Sequence, residues 1–387
     1  MKNGRPDSSR SQVHYFANRY ITAPLSRGAA QLLQGDEGEH MRMTRRLAAA
    51  NLLALLIVSC QAAAPAAPPT AAPAAPAAAA PAAGGATGGG CTVTKEVRIA
   101  VVTHGQPTSN FWAVVQNGVK QAQKDLCITV EYSSPETFDM VRMGELIDAA
   151  VAKKPDGLVV SLPDASALGP HVKKAVDAGI PVVSMNSGSD VFQKFGILTH
   201  VGSDEAVAGM AGGRRLGAMG VKNAICVNDE VGNAALDTRC EGFTKGLAES
   251  GAKMKVLAAP TGDPVGVQNA VAASLQSDPT IDGVVTMGPD GAVPTLKAIK
   301  AADRLKTVKM ATFDLGPDTL QAVQSGEIQF AIDQQQFLQG YMPVLLLMLY
   351  KQYLLMPGGG QPILSGPNFV VKDTAATVLS LSKNGIR

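Results

Sequence analysis

From Val97 onward, short unbroken apolar runs alternate with stretches in which apolar residues recur every three or four positions. The first pattern suits strands buried on both faces of a sheet, and the second suits helices with one buried stripe. Strands are predicted at 97–102, 128–132, 157–161 and 181–185, with a short one near 197–201, and helices at about 110–126, 138–153 and 166–178. The pattern then begins again, with strands near 224–228, 255–258, 283–287, 308–313 and 328–333 and helices at 204–218, 237–250, 265–276, 291–303 and 317–325. A long helix, 335–353, and a final strand near 368–372 complete it. Such alternation predicts an α/β fold of doubly wound parallel sheets covered by helices on both faces.

An internal echo divides the run into two related halves. Asp156 to Asp164 reads DGLVVSLPD, and Asp282 to Asp290 reads DGVVTMGPD. In each, Asp-Gly enters a strand and Pro-Asp follows its end, which sets Asp164 and Asp290 at the carboxyl ends of equivalent strands. The ordinary role of an Asp there is to cap the next helix, and for Asp164 that role is the expected one.

Other polar residues stand at strand ends: Thr103, Asn186 and Ser187, Asn228 and Asp229, Asp314 and Gln334. Each alone reads as a turn former or cap. Together they occupy the carboxyl edges at which open α/β sheets bind ligands. The stretch from Val97 to Ala122 adds the adjacent aromatics Phe111 and Trp112. Phe111 falls on the helix's buried stripe and Trp112 about 100° round from it, so core packing and ligand contact are both open. Ser109 or Asn110 is placed to cap this helix.

Composition narrows the class. Hydrophobic residues are 46%, charged residues 17%, and a net charge of +2 comes without a basic stripe, so no nucleic-acid partner is expected. Ahead of the fold, Arg42, Arg45 and Arg46 precede the apolar run Leu47 to Val58. That run has signal-peptide length and falls short of the ~20 residues that span a bilayer. Ile57-Val58-Ser59-Cys60 resembles a bacterial lipobox, which would make Cys60 the lipidated first residue of the mature chain. The alternative is an ordinary secretory signal cleaved nearby. Residues 41–60 are thus read as a signal, 1–40 as an over-extended gene start, and the Ala/Pro/Gly-rich 61–90 as a tether. Cys91, Cys127, Cys226 and Cys240 remain, and the favoured pairings are 91–127 and 226–240, with free buried thiols as the alternative.

Catalysis finds little support. The histidines His14, His40, His104, His171 and His200 show no metal-ligand spacing, and no phosphate loop, dinucleotide fingerprint or nucleophile elbow is present. No catalytic residue, metal or cofactor is assigned. A glycosidase's carboxylate pair escapes this test, because separation in space decides it. The strand-end Asp, Asn and Gln residues suit the hydroxyls of a neutral polyol, and aromatic faces suit the C–H patches of a sugar ring.

Over roughly 97–383 the chain resembles the class I periplasmic binding proteins, specifically the ribose/galactose-type sugar-binding family of ABC importers. The marks are Phe111-Trp112 after the first strand, Gly179-Ile180-Pro181-Val182-Val183 before Asn186, Arg239-x-x-Gly242-Phe243, Thr312-Phe313-Asp314 and Ala331-Ile332-Asp333-Gln334. The resemblance implies two lobes, 95–202 plus 335–363 and 203–334 plus 364–387, joined by crossings near 202, 334 and 363 and closing like a hinge. It implies stacking by Phe111 and Trp112 and hydroxyl contacts from Thr103, Ser109 or Asn110, Asn186, Asp314 and Gln334. Where the family has an Asp-Arg pair, an arginine and an asparagine, this chain has Asn186-Ser187, Asp237 and about Gly288. Asp237 or Asn233 would take the vacated space, and Ser187 and Asp290 complete the candidate set. The implied function is a non-enzymatic, monomeric, lipid-anchored receptor, exported to the cell surface or periplasm. It would hand a monosaccharide (a pentose, hexose or cyclitol) to an ABC permease. A sugar sensor for chemotaxis or signalling, and then a surface glycosidase, are the alternatives.

Overall fold

The computed structural model describes residues 96–106, 108–259 and 262–387. These belong to one compact unit, 85–387. The signal, the lipobox with Cys60, the tether and Cys91 lie outside the described residues.

The first half runs β1 (Arg98–Val102), α1 (Asn110–Leu126), β2 (Thr129–Ser133), α2 (Met140–Ala152), β3 (Gly157–Val160), α3 (Ala165–Asp177), β4 (Val182–Met185) and β5 (Thr199–Ser203). The second runs α4 (Glu205–Ala218), β6 (Asn223–Asn228), α5 (Ala234–Ala248), β7 (Lys253–Ala258), α6 (Pro264–Ser277), β8 (Gly283–Thr286), α7 (Pro289–Ala301), β9 (Lys309–Phe313), α8 (Pro317–Ser325) and β10 (Phe330–Asp333). The chain ends with α9 (Gln336–Tyr353), β11 (Ile363–Gly366), β12 (Asn368–Val371) and α10 (Lys372–Ser382). Two six-stranded sheets result, ordered β11-β5-β4-β3-β1-β2 and β12-β10-β9-β8-β6-β7. All neighbours are parallel except β12, which runs antiparallel to β10.

Strand alternation sends successive side chains to opposite faces, and each face has its own helices. Ile99 and Val101 pack with Phe111, Val115 and Val344, whereas Ala100 and Val102 pack with Met143, Ile147 and Leu168. The second sheet divides likewise between α4 and α5 on one face and α6, α7, α8 and α10 on the other. Close approach is part of the design. A Cβ on Gly209 in α4 would fall 2.3 Å from the Arg239 carbonyl oxygen, so glycine lets α5 lie against α4 and brings Arg239 to Glu205.

The chain passes between the sheets after β5, after β10 and between β11 and β12. The third passage therefore lies at 366–368, not at 363, because Ile363–Gly366 continues the first sheet beside β5. Helix α5 starts at Ala234 rather than 237, because the Asn233 side chain accepts the Ala235 N–H and caps it. Cys226 and Cys240 thus sit inside a strand and a helix, and a disulfide joins them with a Cα–Cα distance of 5.9 Å. Helix α10, which the hydrophobic pattern does not announce, is short and buries only Ala375 and Val378.

Candidate functional site

Several helices begin with an Asp or Asn whose side chain accepts a first-turn N–H, as Asp139, Asp164, Asp204, Asn233 and Asp263 do. Two that open on the gap between the sheets do not. Ser109 holds the N-cap position of α1 and Gly288 that of α7, and neither supplies a side-chain cap. The Ser109 hydroxyl bonds instead to Asp290 on the other lobe. Helix N-termini with unsatisfied N–H groups favour partial negative charge.

The wall from the first lobe is aromatic and uncharged. Phe111 and Trp112 are both buried, with ring centroids 5.1 Å apart in edge contact. Both line the cleft and both belong to the core of the first lobe. The indole lies on the backbone at Gly105, where a Cβ would fall 2.1 Å from Trp112 Cδ2. His104 meets the indole edge-on at 4.8 Å. Its backbone N–H donates to Ser161 Oγ at 3.0 Å, and Nδ1 lies 2.8 Å from the same oxygen. With the Ser161 hydroxyl donating to Nδ1, the imidazole proton sits on Nε2. Burial, aided by the charge of Arg239, lowers the His104 pKa to about 3 and keeps the ring neutral.

The wall from the second lobe is charged. Arg239 is buried at 3% exposure, and its guanidinium binds both oxygens of Glu205, the Met287 carbonyl at 3.2 Å and Gln334 Oε1 at 2.9 Å. It also stacks 4.5 Å above the Phe313 ring. Gln334 Nε2 donates to the two Asp314 oxygens at 2.8 and 2.9 Å, and Arg239 Nη1 lies 3.9 Å from Asp314. Burial raises the Asp314 carboxyl to about 8 despite that neighbour. Burial and the charge of Glu230 raise Asp229 to about 7, and burial raises Glu230 and Asp290 as well. Glu230 accepts from Asn233 Nδ2 at 2.8 Å.

The walls touch around the cleft. Ser109 meets Asp290, His104 Nε2 lies 3.8 Å from Glu230, and the Ala234 N–H donates to the Pro163 carbonyl at 3.0 Å. Between them lies about 450 Å³ of space not filled by atoms, part of it open to solvent. A groove between α7 and α8 is larger, about 900 Å³, but one lobe alone lines it, without aromatic rings. Among the described residues no group of three or more His, Cys, Asp or Glu could hold a metal.

Of the residues singled out in the sequence, Ser109, Phe111, Trp112, Asn186, Asn233, Asp290, Asp314 and Gln334 line this cleft. Three others turn elsewhere. The buried Thr103 hydroxyl is 2.6 Å from Tyr132 Oη, Asn110 is exposed, and Ser187 donates to Asn186 Oδ1 at 2.9 Å without reaching the cleft. Asp237 does not take vacated space: it is exposed and accepts from Asn228 Nδ2 at 2.9 Å. Two residues along a helix is about 200° of rotation, so with Arg239 facing the cleft Asp237 faces away. Arg239, Glu230 and His104 line the cleft and were outside the candidate set. Sequence does hold a signal for Arg239, its place in the family mark Arg239-x-x-Gly242-Phe243, which was not carried into the candidate set. The echo aspartates part company: Asp164 caps α3, while Asp290 faces the cleft.

The family model described as a periplasmic binding protein domain matches residues 99–352. The xylose/arabinose-binding protein of Sulfolobus acidocaldarius is 26% identical over 269 residues, which are 65% of this chain and 66% of that protein. The D-ribose/D-allose-binding protein of Pseudomonas aeruginosa is 29% identical over 240 residues, 58% of this chain and 72% of that protein. A carbohydrate transporter from Acidothermus cellulolyticus 11B, solved in complex with myo-inositol, is 36% identical and superposes with a TM-score of 0.71, covering 76% of this chain and 100% of that one. Two sheets of this topology, a cleft between their carboxyl edges and a family match over most of the folded part lead to one conclusion: the chain belongs to the periplasmic binding protein family, among the sugar-binding proteins of ABC transporters.

Proposed function

We propose that the protein is the solute receptor of an ABC importer, which closes its lobes on a neutral polyhydroxylated ring, a monosaccharide or cyclitol, and delivers it to a membrane permease. In this reading residues 41–60 are the export signal, Cys60 carries the lipid anchor and 61–90 tether a monomeric receptor to the membrane. One observation carries the proposal: a single cleft joins an aromatic, uncharged wall to a wall of carboxylates. An aromatic face takes up the C–H side of a ring, and carboxylates accept hydrogen bonds from its hydroxyls.

The donor inventory sharpens the class. Asn186, Asn233, Gln334 and Arg239 each already donate to a protein acceptor. Asp290 and Glu230 line the space as acceptors, while Asp314, whose oxygens already accept from Gln334, holds its proton up to about pH 8. A ligand that presents many hydroxyl donors and few acceptors fits this balance, so cyclitols stand beside aldoses among the candidates. The complex of the 36% identical relative with myo-inositol supports including them.

The test is a thermal-unfolding screen of the mature protein against pentoses, hexoses, cyclitols and uncharged nucleosides, followed by calorimetry. A ligand at 100-fold over its Kd stabilises the fold by about 2.7 kcal/mol. A stabilising polyol that is recovered unchanged is the expected result. No shift with any polyol, or turnover of one, overturns the proposal.

A further inference from the structure

The three crossings between the sheets meet at Gly366. A Cβ there would fall 2.9 Å from the Asp333 carbonyl oxygen, 2.9 Å from Ser203 Oγ and 3.1 Å from Gln334 Cα. The third crossing therefore lies flat on the other two, and a displacement of one is felt by all.

Gln339, in α9, stands beside this point and is fully buried at 0% exposure. Its Oε1 accepts from Asn186 Nδ2 at 3.1 Å, and its Nε2 donates to the Gln334 carbonyl at 3.2 Å and to Ser365 Oγ at 3.1 Å. One side chain thus bonds the first lobe's cleft wall, the second crossing and the strand that enters the third. Packing alone does not call for an amide here. The buried face of α9 is otherwise largely apolar, with Pro343, Val344, Leu346 and Leu347, and a leucine occupies similar volume without the desolvation that a buried amide incurs. Beyond the hinge the Gln334 side chain continues the path to Asp314 and Arg239. Asn186 and Asp314, which bound the path, follow the equivalent strands β4 and β9 and share a left-handed backbone, with φ of 61° and 64°.

We infer that Gln339 is a positioning residue that couples the cleft to the hinge: it holds the Asn186 amide in register with the crossings, so that a ligand drawing on Asn186 draws the lobes together. The inference rests on the receptor reading above, and its primary readout needs no ligand. Spin labels at Val141→Cys and Val265→Cys, exposed positions on the first and second lobes, report the interlobe distance by pulsed electron paramagnetic resonance. In the free protein Gln339→Leu broadens that distance distribution toward open forms. With the best polyol of the screen as probe, it raises Kd at least tenfold, mainly through faster dissociation. Gln339→Glu keeps the acceptor for Asn186 but loses both donors to the hinge, and opens the lobes in the same way. Ser365→Ala removes one contact and gives a smaller change in the same direction, which covers the case of a Gln339 variant that folds poorly. An unchanged distance distribution in Gln339→Leu and Ser365→Ala overturns the coupling whether or not a ligand is found. A screen without any ligand overturns the receptor reading instead.

Discussion

The two lobes solve the same folding problem and then part at their carboxyl edges. Asp156 accepts the Arg98 N–H at 3.0 Å, and Asp282 accepts those of Lys222 and Asn223 at 2.9 and 2.8 Å, so each ties the start of its sheet's neighbouring strand. Asn186 and Asp314 take up the same left-handed turn after β4 and β9, a conformation that Asn and Asp tolerate better than most residues. What repeats is the scaffold. What differs is the chemistry offered to the cleft: rings and a neutral imidazole from the first lobe, carboxylates and one arginine from the second. The difference assigns each wall one face of the ligand, and it can be attacked from either side.

The largest effect is expected in the second lobe. Arg239→Met leaves the buried Glu205 carboxylate without its bidentate partner. Removing one member of a buried ion pair costs about 3–5 kcal/mol, and replacing both often restores stability. Urea unfolding will show the single variant strongly destabilised and Arg239→Met with Glu205→Leu much closer to the parent. If the double variant is no better than the single, the pair's geometry, and not its charge, holds the wall.

A pH profile separates the walls next. His104, lowered from 6.5 to about 3, is bare in the fold and protonated in the unfolded chain between those values. Its contribution therefore weakens as pH falls from 6.5 to about 3. Asp314 and Asp229, raised from 3.8 to about 8 and about 7, keep their protons in the fold and lose them when unfolded. Theirs is largest at low pH and weakens as pH climbs from 3.8 through about 7 and 8. Each pKa unit is worth about 1.4 kcal/mol. Unfolding free energy measured against pH should lose part of its slope between about 3 and 6.5 in His104→Gln, where buried His200 supplies a like share. It should lose part of its slope between 3.8 and about 8 in Asp314→Asn, where Asp229 supplies a further share. Equal slopes in parent and variants would mean that these groups are solvated.

A milder intervention targets the aromatic wall. Gly105→Ala sets a methyl within 2.1 Å of the Trp112 indole and pushes the ring toward the cleft. Overpacking of this kind costs about 1–3 kcal/mol. Calorimetry should show ligand affinity falling about tenfold or more, the lower part of that energy range at 1.4 kcal/mol per decade. Unchanged affinity would remove Trp112 from the binding wall.

How much of this was legible in the sequence follows from what each signal depends on. Strands such as Val182–Met185 announce themselves because a strand buried on both faces has to be apolar throughout. Strand-end polar residues were equally visible, and Asp314 and Gln334 do meet, at 2.8 Å. Arg239 escaped because cations were sought only at strand ends, whereas it reaches the cleft from inside α5. Asp237 entered the candidate set because the family resemblance places an arginine at that position, yet two residues on, about 200° round the helix, it is Arg239 that faces the cleft. Thr103 and His104 are neighbours after β1, yet one turns to Tyr132 and the other to the cleft. Sequence offers no rule for that choice once the regular strand has ended. The network through Gln339 was illegible for another reason: its partners Asn186, Gln334 and Ser365 come together only when three separate crossings meet.

The smallest effects give the sharpest comparison, because they fall on the two aspartates that the echo makes equivalent. Asp164 accepts the Ser166 and Ala167 N–H groups at 2.8 and 3.0 Å and is an N-cap. Loss of such a cap costs about 1 kcal/mol of stability, so Asp164→Ala should shift the urea midpoint and leave polyol affinity alone. Asp290 lies within the first turn of α7, after Gly288 and Pro289, and faces the cleft beside Ser109. Asp290→Asn retains the shape but loses the charge that strengthens an accepted hydrogen bond, an effect of about 1.5 kcal/mol or roughly tenfold in Kd. Its urea midpoint should move little or rise, because a buried carboxylate is being neutralised. If the two variants behave alike, in affinity or in stability, the division of labour between repeated scaffold and divergent site fails at the position where it is easiest to see.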